Sequence, residues 1–234
     1  MTNTTARPTS GMGRPIAPAV SGDSRPCGSV EELDKVFYGD GGQTNAWSVC
    51  RRCPVLTTCL REGLALDERL YAWGVFGGLT AEQRRALRVE EQLGNVPDLA
   101  IARILSRGQW GYRLRSMMQR GLTCEQMRAA LERRFGARAA TVTVRVAVWW
   151  LGGNASVLPK PGAADRRRVT QRLREDHAEL LFQLQDMGLK QRDIAAYLEV
   201  RERQVQYCMQ RLNREARAAE SSDAAVAETV GLAA

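Results

Sequence analysis

Cys50–Leu60 reads CRRCPVLTTCL, and the spacing within it decides how the chain folds. A Cys-x2-Cys pair lets the sulfurs of Cys50 and Cys53 turn toward one point, and Cys59 follows after five intervening residues. Pro54 stands where a first helical residue tolerates its missing N–H. Leu56, Cys59, Leu60 and Leu64 then recur at three- and four-residue steps, which predicts a helix that carries Cys59 back toward the pair. Cys27, separated from Cys50 by 22 residues, closes the set from a distant loop. Four thiolates suit tetrahedral zinc or an iron–sulfur cluster. The five-residue interval lacks the doubled Cys-x2-Cys of a zinc ribbon, a modest argument for iron, and spacing leaves both open. A thioredoxin-like redox pair is weak, because no βαβ pattern surrounds Cys50 and Cys53. Arg51, Arg52 and Arg61 flank the cysteines and would offset the negative charge of a thiolate-held group. A solvated surface explains them equally well.

Working outward, the signals remain helical. Ser29-x-x-Glu32 is a capping box before Leu33, Val36 and Phe37, and Thr80-x-x-Gln83 opens a helix with Leu87 on its apolar face. Pro97 precedes Leu99, Ile101, Ile104 and Leu105, and Thr123-x-x-Gln126 opens a helix through Met127, Ala130 and Leu131. Thr141–Val148 (TVTVRVAV) alternates like a strand. With no partner strand nearby it is read as helix. The expected fold class is mainly α: a small helical cysteine domain followed by helical, helix-turn-helix-like domains.

Charge and composition divide the chain. Among 234 residues, 34 Lys and Arg face 26 Asp and Glu, a net of +8 that favours an anionic partner. Residues 1–90 hold 11 basic and 10 acidic residues, against 23 and 16 in residues 91–234. Cysteine chemistry thus comes first and polyanion binding after it. Residues 1–25, rich in Thr, Pro, Ser and Gly, read as a disordered lead-in. The cysteine domain covers 26–92, a helical domain 95–151, a linker 152–165, a helix-turn-helix domain 166–217 and a frayed tail 218–234. No apolar stretch is long enough for a membrane span and no signal-like run follows the N-terminal arginines, so a cytoplasmic protein with no membrane partner is expected. The expected cytoplasmic setting also disfavours structural disulfides. His177, the one histidine, lies on a charged stretch and is expected to face solvent. That leaves little for His-based catalysis. Cys124 and Cys208 fit as small core residues.

CRRCPVLTTCL, followed by Trp73–Leu79 (WGVFGGL) and Thr80–Leu87 (TAEQRRAL), resembles the WhiB-like family of iron–sulfur transcription regulators found in actinobacteria and their phages. The resemblance spans roughly residues 26–92, about a third of the chain. It implies a [4Fe–4S] cluster on Cys27, Cys50, Cys53 and Cys59. It further implies that Trp73 and the turn Gly74-Val75-Phe76-Gly77-Gly78 dock region 4 of the primary sigma factor of RNA polymerase. Three glycines in five residues let a turn expose one apolar ring, and such a ring suits an interface anchor. The alternative is a structural turn with Phe76 tucked inside. Phe76 replaces the family's usual tryptophan and so lacks an indole N–H; Trp73 offers some of the missing surface.

Family members commonly end in a short basic segment, whereas here about 140 residues follow. Glu179–Asn213 looks like a helix-turn-helix. A first helix (Leu180, Leu181, Leu184) ends at Gly188, a second carries Ile194, Ala195 and Leu198, and a turn at Glu199-Val200 leads to a third that buries Val205, Cys208 or Met209, and Leu212. Its outward residues would be Arg201, Arg203, Gln204, Gln206, Tyr207, Gln210 and Arg211, types that read base edges or grip phosphates. Gln119–Leu131 echoes Gln185–Leu198 and suggests a second such unit upstream. Trp149 and Trp150 are expected to close a small core. Arg166, Arg167 and Arg168 suit phosphate contact or a solvated helix start. Together these readings predict a transcription regulator rather than an enzyme, with DNA and sigma as partners, no small-molecule substrate, and a cluster that also suits sensing of oxygen or nitric oxide. The alternatives are a zinc-dependent DNA-binding protein without sigma contact and a thiol–disulfide reductase using Cys50 and Cys53.

Overall fold

The structure, a computed structural model, describes residues 27, 49–66, 74–153, 155 and 167–231. The Ser29–Glu32 capping box, Trp73, Arg166, residues 1–25 and nearly all of the linker lie outside the described residues. The helices are α1 (Leu56–Ala65), α2 (Ala81–Gln92), α3 (Leu99–Leu105), α4 (Gly108–Gln119), α5 (Cys124–Phe135), α6 (Thr141–Trp150), α7 (Val169–Asp176), α8 (Ala178–Asp186), α9 (Gln191–Leu198) and α10 (Glu202–Gly231). The fold is mainly α, as the patterning predicts. No helix among the described residues is long and apolar enough to cross a membrane.

Local chemistry explains most of the boundaries. Both predicted capping boxes form: Thr80 with Gln83 starts α2, and Thr123 with Gln126 starts α5. α3 is opened by Asp98, whose carboxylate accepts the Ile101 N–H at 2.9 Å. α1 begins two residues later than Pro54, at Leu56. Its C-terminal carbonyls are met by Arg88, which donates to the carbonyls of Gly63, Leu64 and Leu66.

α6 explains why its sequence resembles a strand. Every residue from Val142 to Trp150 is buried, so the helix is covered on all sides by its neighbours and needs no polar face. α3 and α5 pack along it, and α2 and α4 touch it as well. Around it a first core gathers Leu56, Leu60, Leu79, Leu87, Leu105, Leu114, Met127 and Leu131. A second core joins Leu173, Leu181, Leu184, Ile194, Leu198, Val205, Cys208, Met209 and Leu212 with Val89 of α2. α9 lies along α2, so α2 serves both cores and the C-terminal helices are not a separate bead on a linker.

Three readings change. The stretch 218–234 is not all frayed, because α10 runs on to Gly231; its many alanines favour helix. His177 is half-buried at the junction of α7 and α8 rather than on an open helical face. Arg167 pairs with Glu175 and Asp176 at 3.1 and 2.9 Å, which ties it to its own helix. The upstream echo does have a structural counterpart. Gly121 and Gly188 share φ near 77°, and each turn is closed by the same two backbone bonds: Gly121 to Met118 and Leu122 to Met117 in one, Gly188 to Gln185 and Leu189 to Leu184 in the other. The third helix of the upstream copy is α6, which is buried and cannot present a surface to DNA.

Candidate metal centre and nucleic-acid interface

All six cysteines are free thiols. Cys50 and Cys53 are buried, while Cys27 and Cys59 are half-buried. Val49 and Cys50 start a tight turn, with the Cys53 N–H bonded to the Cys50 carbonyl at 3.0 Å, and α1 brings in Cys59. Burial, then the charge of Cys59, with Cys27 and Cys53 adding to it, pushes the Cys50 thiol up to about 12. Burial likewise raises Cys59, again with contributions from Cys27 and Cys53. Cys50 and Cys59 thus each feel the charge of Cys27 and Cys53. Two backbone donors favour thiolate here: the Gly77 N–H meets Cys59 Sγ at 3.2 Å, and the Gly78 amide bonds to Cys50. A cationic group among these thiols would reverse the penalty and hold them deprotonated. The donor set thus fits a thiolate-held metal group. Among the described residues, no three His, Cys, Asp or Glu side chains are gathered as a site for one metal ion.

The glycine turn is built against this cradle. Phe76 and Leu79 exchange both backbone hydrogen bonds, at 3.1 and 3.0 Å. Gly77 has φ +54, and a Cβ there would stand 2.4 Å from the Leu60 Cβ, so only glycine lets the turn close on α1. Phe76 is not the exposed anchor that a glycine-rich turn suggests. It is half-buried, its ring lies under the Arg84 guanidinium at 4.9 Å, and a Cβ on Gly63 would come within 2.7 Å of it. Val75 is buried as well. Arg84 itself is buried, donates to the carbonyls of Gly74 and Leu79, and is lowered to about 10 by burial and then by Arg88. The sequence reading missed Arg84, which packs the turn from α2.

Helix α6 joins this turn to the C-terminal helices. Trp150 Nε1–H donates to the Gly77 carbonyl at 2.8 Å, and Trp149 Nε1–H donates to Glu199 Oε1 at 2.9 Å. The same Glu199 oxygen accepts the Ala155 N–H at 3.1 Å, while the Glu199 backbone holds a left-handed φ of 53°. Arg145 is fully buried between the cores. It pairs with Glu90 of α2 at 3.0 Å, donates to the Tyr197 carbonyl, and lies over the rings of Trp149 and Tyr197. The two tryptophans are core residues, as predicted, and their N–H groups also bond beyond α6, Trp150 to the glycine turn and Trp149 to Glu199.

At the other end, α9 and the first turns of α10 are joined through Glu199 and Val200. Val205, Cys208, Met209 and Leu212 face inward. Arg201, Arg203, Gln206, Tyr207, Gln210 and Arg211 are exposed. Gln204 is spent differently: its side chain accepts the Arg201 N–H at 2.9 Å and closes the start of α10. Arg211 pairs with Glu215 at 3.0 Å. Arg203, Gln206, Tyr207, Gln210 and, one turn on, Arg214 follow helical spacing along one exposed face. Arg214 was missed, although the same periodicity points to it. Cys124 and Cys208 are buried core thiols.

Residues 24–87 match the family described as Transcription factor WhiB. The chain is 43% identical over 54 residues to proteins named Transcriptional regulator WhiB4 from two strains of Mycobacterium tuberculosis, and likewise to one from Mycobacterium marinum. The matched stretch is 23% of this chain and 43% of the Mycobacterium tuberculosis relatives (44% of the Mycobacterium marinum one), so the chain spans less than half the length of each. No solved structure matches the chain.

Proposed function

We propose that this chain, whose residues 24–87 match the WhiB family, is a transcription regulator of that kind that binds a [4Fe–4S] cluster, docks on region 4 of the primary sigma factor and contacts DNA through α10. The observation that carries this reading is the bonding of the Gly77 and Gly78 amides to Cys59 and Cys50, which sets the glycine turn against the cysteine segment, in one packed body with an exposed Arg/Gln/Tyr face. Cys27, Cys50, Cys53 and Cys59 would hold the cluster, and the amides of Gly77 and Gly78 would bond to the sulfurs of Cys59 and Cys50. When bound, the cluster supplies a redox-active group open to oxygen or nitric oxide. The protein's own part is to bury that group, place turn amides against it, and fix the turn by Arg84 and Trp150. Sigma docking would then use Trp73, which lies outside the described residues, with the half-buried turn edge of Gly74 and Phe76. DNA reading would use Arg203, Gln206, Tyr207 and Gln210, with Arg201 and Arg211 at the margins. One bidentate Arg–guanine pair is worth roughly 1–3 kcal/mol of discrimination.

A reductase gains no support from this geometry. A nucleophilic Cys needs a lowered pKa, and Cys50 is held high by burial.

The test is to purify the chain without oxygen, assay iron, sulfide and zinc, and select bound duplexes from a random-sequence pool. About four irons and four sulfides per chain, with one enriched sequence whose selection relaxes in Gln206→Ala, is the expected result. A colourless protein with one zinc ion defeats the cluster reading, and an unenriched pool defeats sequence reading by α10. Cys53→Ser that still folds and binds sigma would remove the cluster's structural role.

A further inference from the structure

A strongly basic groove lies apart from α10, beside the Cys50–Cys53 turn. It has a volume of about 480 Å³ and is lined by Arg51, Arg52, Ser106, Arg107, Gly108 and Arg115. Two of these arginines stand between the paired cysteines, and the other two come from the start and middle of α4, more than 50 residues later. The groove is built rather than incidental. Arg103 donates to the carbonyls of Cys53 and Pro54 at 3.1 and 3.0 Å, and Arg107 donates to the Arg51 carbonyl at 3.1 Å. These bonds hold the cysteine turn against α3 and α4, and they come from residues beyond the 24–87 match.

We propose that this groove holds phosphates of the DNA backbone, as a second contact beside the one made by α10; the proposal rests on the DNA-binding reading above. Four guanidinium groups line the groove and no carboxylate does. Guanidinium forks match phosphate oxygens in a bidentate manner. α4 opens at the same place with no side-chain cap and no acidic residue in its first turn, so its positive end adds to the field. Partial desolvation and then the neighbouring charge of Arg103 lower Arg107. A protein partner is the poorer fit. Interfaces of that kind are anchored by buried aromatic and apolar side chains, and no apolar side chain lines this groove. Backbone contacts of this type fix position without reading sequence. Since Arg51 and Arg52 belong to the cysteine turn, the state of the cysteines and the grip on DNA would share one loop.

The test measures the full-length, metal-loaded protein on a fixed duplex and on an unrelated one, across a salt series. Each phosphate contact contributes about 0.9 to the slope of log affinity against log salt. Arg52→Ala/Arg115→Ala is expected to lower the slope by nearly two and to weaken both duplexes by the same factor. Arg115→Ala alone, away from the cysteines, should lower it by about one. Arg133→Ala, an exposed cation outside the groove, is the control and should retain the wild-type slope. A groove variant with the control's slope overturns the proposal while leaving DNA binding by α10 intact. Weakened sigma binding with unchanged DNA affinity also overturns it, and assigns the groove to a protein. A wild-type chain that binds no duplex removes the DNA reading itself.

Discussion

The cysteine-bearing helices and the C-terminal helices reach order by different routes, although they share α2. Around the cysteines the packing is close but short of apolar mass. α1 contributes Leu56 and Leu60, the glycine turn closes on Leu60 at backbone distance, and two buried or half-buried arginines bind stray carbonyls. The C-terminal helices instead interdigitate Leu181, Leu184, Ile194, Leu198, Val205 and Leu212 at regular helical spacing. The first region depends on specific contacts, each replaceable by nothing else, and the second on area, which scales with apolar surface removed from water. Helix α6, with Arg145, therefore ties together two regions of unequal independence.

Removing that tie should have the largest effect. Arg145→Ala leaves Glu90 buried without its partner, and breaking a buried ion pair in this way costs about 3–5 kcal/mol. Urea unfolding followed by tryptophan fluorescence and by far-ultraviolet dichroism should show both probes shifting together. A shift in one probe alone would break the claim that α6 serves both regions. Leu181→Ala should cost about 2–5 kcal/mol through lost burial and a cavity, yet leave the iron content and the rate of iron loss unchanged. Iron lost in step with the C-terminal helices would mean that the two regions are one cooperative unit. Trp150→Phe should have the smallest effect on stability, about 1–3 kcal/mol, because it leaves the Gly77 carbonyl without its buried donor. Its signature is selective: faster iron loss under air, with the melting of the C-terminal helices preserved.

Much of this was legible from residues. Capping boxes at Thr80 and Thr123, apolar spacing from Leu181 to Leu212 and the burial of the paired tryptophans are local signals, and each is met in the structure. What sequence could not supply were contacts between residues some 50 apart or more, such as Arg145 with Glu90, Trp149 with Glu199, and Trp150 with Gly77. An arginine in an otherwise apolar helix reads as a surface position until its partner is known. Phe76 misled for a related reason. Glycine content forecasts a turn, but the side on which the ring falls depends on Gly63 and Arg84, which approach from two other segments. Gln204 looked like a base reader because its outward spacing is right, and its use as a cap shows only in the bond it accepts.

The units that share the turns at Gly121 and Gly188 end in third helices with opposite fates, one enclosed as α6 and one exposed along one face as α10. Arg203, Gln206, Tyr207 and Gln210 are exposed, so substitutions there can change what that surface contacts without disturbing the core. The corresponding helix of the other copy has no such latitude, since nearly every side chain on it is already committed to a neighbour.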